Sequence, residues 1–140
     1  MAGVHSRHYI AAWLIVLGIS EAVAAQTITV SNVDELYNAV NDPGNAGITI
    51  VLAPGTYMLS VTGANNVPRP KGGRIELQPD MSLRGVEGTM NAVVISAFNL
   101  PASSFPQIVN GVQTGPNAAV RMGLGRNTLE WLTVRDARSA

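Results

Sequence analysis

The sequence predicts an all-β solenoid: short strands stacked in successive coils, preceded by one amphipathic helix. Three observations predict it. First, the phrase Ile50-Val51-Leu52-Ala53-Pro54-Gly55 reads I-x-L-x-P-G and returns 25 residues later as Ile75-Glu76-Leu77-Gln78-Pro79-Asp80, with a weaker copy from Val120. Self-similarity at a period of this size marks repeat architectures. Second, beyond residue 42 no segment carries helical periodicity, while short runs of alternating apolar and polar residues recur. Third, these copies can be superposed: Leu52, Leu77 and Met122 share one position, and Leu83 and Leu129 share another, 46 residues apart. With residues 92–97 between them, each coil would span roughly 20–27 residues. Parallel strands ordinarily need helical crossovers; strands joined by corners and returning once per coil do without them.

The elements follow in order. Residues 1–25 read as a secretory signal peptide. Arg7, with His5 and His8, makes a mildly basic start, ten apolar residues run from Ile10 to Ile19, and small residues surround a cut after Ala25. Ten apolar residues followed by Glu21 fall short of the ~20 that span a bilayer. At 140 residues the rest, 26–140, is at most one domain. Thr27-Ile28-Thr29-Val30 alternates as a short strand. Ser31 is the expected helix N-cap, with Asp34 placed at the positive end of the helix dipole. Val33, Leu36, Tyr37 and Val40 form one apolar stripe, and Asp42-Pro43-Gly44-Asn45 stops the helix. Ile48, Ile50 and Leu52 face one way and Thr49 and Val51 the other. Pro54-Gly55 turns the chain into the alternation of Tyr57, Leu59 and Val61. Residues 62–73 have loop composition. Strands are expected at 74–77, around Met81 and Leu83, at 92–97 and at 127–134, with an inserted loop at 98–117.

The features Pro54-Gly55-Thr56-Tyr57 after an I-x-L strand, L-x-G at Leu83-Arg84-Gly85 and N-T-L-x-x-L-T-V ending at Val134 resemble the right-handed parallel β-helix of the pectate-lyase-like superfamily. The likeness covers residues 26–136, and the strand and helix of residues 27–41 resemble the cap that closes the first coil in that superfamily. Trp131 departs from it, standing where the last repeat usually has glycine or asparagine. The resemblance implies a truncated N-terminal part holding the cap and about three to four coils. It also implies a parent that binds or degrades an extracellular, acidic polysaccharide. As an enzyme that parent would be a lyase or hydrolase with catalytic residues downstream, and a full-length lyase could use Ca²⁺. The alternatives are a non-enzymatic surface or adhesin-type protein, and a fragment without activity of its own. The chain is expected to be secreted, periplasmic or on the cell surface.

Composition narrows the chemistry. Cysteine is absent, and both histidines leave with the signal peptide. Ser-His-Asp chemistry, a cysteine nucleophile and His/Cys zinc sites are therefore excluded from residues 26–140. Charge balances, with one lysine, Lys71, and no basic run. That discounts nucleic-acid binding and polybasic membrane attachment, and no stable membrane insertion is expected after signal removal. No catalytic residue is assigned, and no cofactor or metal site is expected within these residues.

In register, Arg84 shares a row with Glu130, and Glu76 with Arg121. Two coils would separate each pair, or ~10 Å. Such rows suit an acidic polysaccharide, although a solvated charged face is the ordinary reading of exposed charge. Arg135-Asp136 reads as a surface salt bridge, Gly123-Leu124-Gly125 as a turn and Tyr57 as core. Trp131 is the better candidate for stacking on a sugar. Asn65-Asn66 and Asn127 fit either amide ladders or turns. A bare last coil invites pairing, so self-association through it is expected.

Overall fold

The computed structural model describes residues 26–105, 108–109, 112–113 and 118–137. The signal-peptide segment, residues 1–25, lies outside them. The chain enters through strand β1 (Thr27–Val30) and passes into helix α1 (Val33–Asn41). Leu36, Tyr37 and Val40 of the apolar stripe are buried together with Ala39, while Val33 packs at the margin.

The helix cap differs from expectation by one residue. Asn32, not Ser31, is the N-cap: its Oδ1 accepts the Glu35 N–H at 2.9 Å. Glu35 in turn accepts from the Ser31 N–H at 2.7 Å and from the Ser31 hydroxyl at 2.9 Å. One first-turn amide, Glu35 N–H, and the amide ahead of the cap, Ser31 N–H, are thus met by two side chains working reciprocally. These bonds, led by the one from the Ser31 backbone, hold the Glu35 carboxyl below its ordinary pKa. Asp34, also in the first turn, pairs with Arg69.

Ten further strands follow among the described residues. They are β2 (Thr49–Leu52), β3 (Gly55–Met58), β4 (Ile75–Glu76), β5 (Ser82–Arg84), β6 (Val93–Ser96), β7 (Ile108–Val109), β8 (Val112–Gln113), β9 (Val120–Arg121), β10 (Leu129–Glu130) and β11 (Thr133–Arg135). The largest sheet runs β1-β2-β5-β10, a second runs β11-β6-β3, and a third pairs β4 with β9. All three are parallel, whereas β7 and β8 form an antiparallel pair. Strands that are neighbours in a sheet therefore come from separate passes of the chain. Ile28, Ile50, Leu83 and Leu129 fall in one column of the largest sheet, and Tyr57, Ile95 and Val134 in one column of the second. The inward columns and the stripe of α1 meet in one apolar cluster that includes Leu36, Ile50, Tyr57, Ile75, Leu83 and Ile95.

The all-β solenoid expectation, a right-handed parallel β-helix, is corrected. Helical segments make up 25% of the structure and strands 30%, the latter divided among separate sheets of two to four short strands. Besides α1, the segments Pro43–Asn45, Ala64–Asn66, Pro70–Gly73, Met90–Ala92 and Ala102–Ser104 are 3-10 turns. Nor are the passes uniform. Thr27 pairs with Thr49, Ile50 with Leu83 and Leu83 with Leu129, offsets of 22, 33 and 46 residues. The repeated phrase is not the structural repeat: Ile50 belongs to the largest sheet, and Ile75 pairs with Val120 in another. Leu77 does follow in register with Met122, but Leu52 lies alongside Val30. Residues 92–97 contain β6, which lies in a different sheet from Leu83 and Leu129 rather than between them. The physical cause is that proline-containing segments at 62–73 and 98–105 lengthen some passes and fold into the 3-10 turns Ala64–Asn66, Pro70–Gly73 and Ala102–Ser104.

Two buried tyrosines make stability depend on alkali. The Tyr57 hydroxyl donates to Val30 O at 2.9 Å and Ala53 O at 3.0 Å. The Tyr37 hydroxyl donates to Gly73 O. Burial raises the pKa of both phenols. Their folded pKa values exceed that of an unfolded tyrosine, ~10. The stability they contribute is thus complete below pH ~10 and is lost as pH climbs through the folded values. We expect the urea midpoint to fall above pH ~10, and the fall to be shallower in Tyr37→Phe. Urea titrations between pH 8 and 11.5 check this.

Candidate functional site

Three surface grooves join end to end along one side of the molecule. The first, about 600 Å³, lies between α1 and residues 63–70. The second, about 310 Å³, shares Asn41 with the first and runs past Lys71 to Pro79. The third, about 520 Å³, shares Glu76, Leu77 and Pro79 with the second and continues to Arg121 and Leu124.

The walls are fixed by backbone ties. Gln78 Nε2 donates to Val40 O at 2.7 Å and to Asp42 O at 2.6 Å, fastening the end of α1 to the segment after β4. Asn127 Nδ2 donates to Gln78 O at 2.8 Å and Met81 O at 2.7 Å, fastening the last pass to the one before it. Asn127 is therefore a brace between passes, and no amide ladder joins it to Asn65 or Asn66, which take left-handed backbone angles in a loop.

The charges along the grooves fall into two groups. Arg69 is committed to structure. Its guanidinium lies 4.0 Å from the Tyr37 ring centre, pairs with Asp34, and reaches Ser60 Oγ at 3.3 Å and Thr62 O at 3.2 Å. Stacking, an ion pair and backbone contacts leave it little capacity for a ligand. The second group is open. Glu76 projects from β4 with Arg121 Nη1 at 3.1 Å and Lys71 Nζ at 3.6 Å. Lys71 and Arg121 are 53% and 52% exposed, against 27% for the carboxylate between them. Two accessible cations thus bracket one partly covered anion, and the cluster carries an excess positive charge.

Glu76 and Arg121 share a row, as the sequence predicts, and so do Arg84 and Glu130. Their separation is corrected: each pair sits on directly neighbouring strands, and Arg84 Nε lies 3.8 Å from Glu130 Oε2. No pass intervenes, because β6 belongs to another sheet. Glu87 also contacts Arg84, at 3.1 Å. Lys71 is the member that sequence reasoning missed. It sits in a loop at φ 55°, where strand alternation gives no direction for a side chain. Its one available signal is its spacing, five residues ahead of Glu76.

The other candidates resolve individually. Tyr57 is core. Trp131 is 37% exposed at a corner between β10 and β11 and lines none of the three grooves. Arg135 pairs with Asp136 at 3.4 Å, and Asp136 also accepts from Ser96 Oγ at 2.6 Å. Gly123-Leu124-Gly125 leads into a bend at residues 124–126, whose Leu124 borders the third groove. Among the described residues, no group of three or more His, Cys, Asp or Glu side chains is placed to hold a metal ion. Among the same residues, no helix is long and apolar enough to cross a membrane. Comparison with protein-family models, with curated proteins and with solved structures finds no match.

Proposed function

We propose that the protein binds an extracellular acidic polysaccharide along this groove. The observation that carries the reading is the Lys71–Glu76–Arg121 cluster, lying where the second and third grooves join. A joined, open groove suits an extended polymer better than a compact ligand. Its floor offers Pro79, exposed beside the buried Leu77, to a sugar face, and its accessible cations offer partners for sugar carboxylates. A uronate carboxylate would compete with Glu76 for Lys71 and Arg121, forming charge-assisted hydrogen bonds of the kind arginine makes with carboxylates. The paired Asp34 and Arg69 at the far end hold the wall of the first groove in place. The reading is of a binding protein, and secretion belongs to it, since such a polymer is met outside the cytoplasm.

Calorimetric titration with a polyuronate and with a neutral glucan of similar length tests this. We expect binding to the polyuronate that weakens as salt rises, because exposed charge pairs are screened. Lys71→Ala and Arg121→Ala should each weaken it roughly 3- to 10-fold, the size expected for losing an exposed or partly exposed charge contact. Arg126→Ala, outside the grooves, should leave it unchanged. Equal binding to the neutral glucan, or no polyuronate binding at low salt, overturns the proposal.

A further inference from the structure

The joined groove has unlike ends. At the Lys71–Glu76–Arg121 end two accessible cations face solvent. The first groove offers no such cation. Its one guanidinium, that of Arg69, is only 10% exposed and is taken up by Asp34, the Tyr37 ring and Thr62 O. The remaining charge in its lining is the exposed carboxylate of Asp42, which forms no ion pair among the described residues. Its walls differ as well. Asn38, Asn41 and Asp42 line it from the exposed side of α1 and the residue that ends it. Asn41 Nδ2 donates to Tyr37 O at 2.8 Å, and Asp42 Oδ1 accepts the Gly44 N–H at 2.9 Å. Asn41 Oδ1 and Asp42 Oδ2 are left as acceptors, and the Asn38 amide offers both a donor and an acceptor. The rest of the lining includes Ala64, Val67 and Pro68, all exposed. That segment is closed on itself by the Gly63 N–H on Val67 O and the Arg69 N–H on Val61 O, each at 2.8 Å.

We infer that the two ends take different sugars: uncharged, hydroxyl-bearing residues in the first groove and a uronate at the Lys71–Glu76–Arg121 cluster. The inference rests on the polysaccharide reading above and narrows it. An ionised carboxylate accepts hydrogen bonds and donates none. A uronate in the first groove would therefore find no open cation and would meet Asp42 as a like charge. A sugar hydroxyl can instead donate to Asp42 and Asn41, and hydrogen bonds to a carboxylate are strong ones. The ring of an uncharged sugar also has an apolar face, which suits Val67 and Pro68. Apolar lining with a few placed polar groups is the usual make-up of a binding site. Because the Val67 wall is already tied, little ordering cost attends binding. The favoured polymer is thus a mixed one, with uncharged sugars adjoining uronates, and not an unbroken polyuronate.

Calorimetric titration of the full chain with three forms of one polymer tests the inference. They are polygalacturonate, the same polymer with part of its carboxyls reduced to primary alcohols, and the fully reduced polymer, so backbone and linkage stay constant. We expect affinity to peak at the partly reduced form, roughly 3- to 10-fold above the unreduced one, the size of an exposed charge contact. Asp42→Asn keeps the acceptor for the Gly44 N–H and removes the charge. It should bring the unreduced polymer closer to the partly reduced one. Asn38→Ala, at an exposed helical position, should weaken the partly reduced polymer more than the unreduced one. Affinity that falls steadily with reduction, with Asp42→Asn without effect, overturns this inference and leaves the polyuronate reading standing. Affinity that rises steadily to the fully reduced polymer, or no binding of any of the three, overturns both.

Discussion

Gly85→Ala should lower the stability of the folded chain by about 3 kcal/mol or more, the upper range for forcing extra atoms into a packed site. A Cβ at Gly85 would stand 1.9 Å from Trp131 O, 2.9 Å from Trp131 C and 3.2 Å from Val93 Cγ2. The first two obstacles are backbone, so no side-chain rotation relieves them. The corner between β10 and β11 would have to lift. That movement would strain the 2.8 Å bond from Gly85 N to Glu130 O and both edge pairings of the last pass. Gly88→Ala is the natural control. Gly88 has φ 77° and nothing within 4 Å of the added atom, so its cost is backbone strain alone, roughly 1–2 kcal/mol. Urea unfolding of the two variants should rank them in that order. Equal midpoints would mean that the Trp131 corner does not rest on Gly85.

The second large effect belongs to Leu83→Ala. Leu83 is fully buried on an internal strand of the largest sheet, in register with Ile50 on one side and Leu129 on the other. Truncating it removes apolar contacts and leaves a cavity whose lining belongs to three passes of the chain. Buried Leu→Ala changes cost about 2–5 kcal/mol, a large share of the 5–15 kcal/mol that holds a typical domain folded. Leu129→Ala, on the edge strand and partly exposed, should cost distinctly less. Calorimetric melting of both variants checks the ranking. A Leu129 effect as large as that of Leu83 would contradict the order of strands in this sheet.

The local elements were legible because their signals are local. The alternation of Ile48, Ile50 and Leu52 gave the buried face of β2, and the stripe Leu36, Tyr37, Val40 gave the buried face of α1. The N-cap lies within one residue of the position the sequence points to: Ser31 and Asn32 are both good caps, and the bonds of Glu35 decide between them. Pairing was harder to read. A period of two says which way a side chain points, but not which strand lies alongside. Two copies of I-x-L-x-P therefore suggested adjacency between segments that entered separate sheets. The match of Leu83 with Leu129 and the rows of Glu76 with Arg121 and Arg84 with Glu130 are legible because each compares strands of one sheet, but the two-coil spacing expected within each row is not, since that depends on which strand lies alongside. The all-β expectation failed where Pro43, Pro70 and Pro101 open turns that wind into short 3-10 segments instead of plain corners. Within the candidate site, the row of Glu76 and Arg121 was visible, while Lys71 was hidden by a left-handed loop.

Cross-linking discriminates most directly between pairing by the repeated phrase and the pairing described here, and the absence of native cysteine makes it clean. Val51 and Arg84 are register neighbours on β2 and β5. Neighbouring strands lie ~4.8 Å apart, within the Cα separation a disulfide spans. Val51→Cys with Arg84→Cys should oxidise readily to an intramolecular disulfide in the native state. Val51→Cys with Glu76→Cys, the pair that the phrase alone would place side by side, should remain reduced. Ready closure of the second pair, or failure of the first, would show that these distant passes do not meet as described.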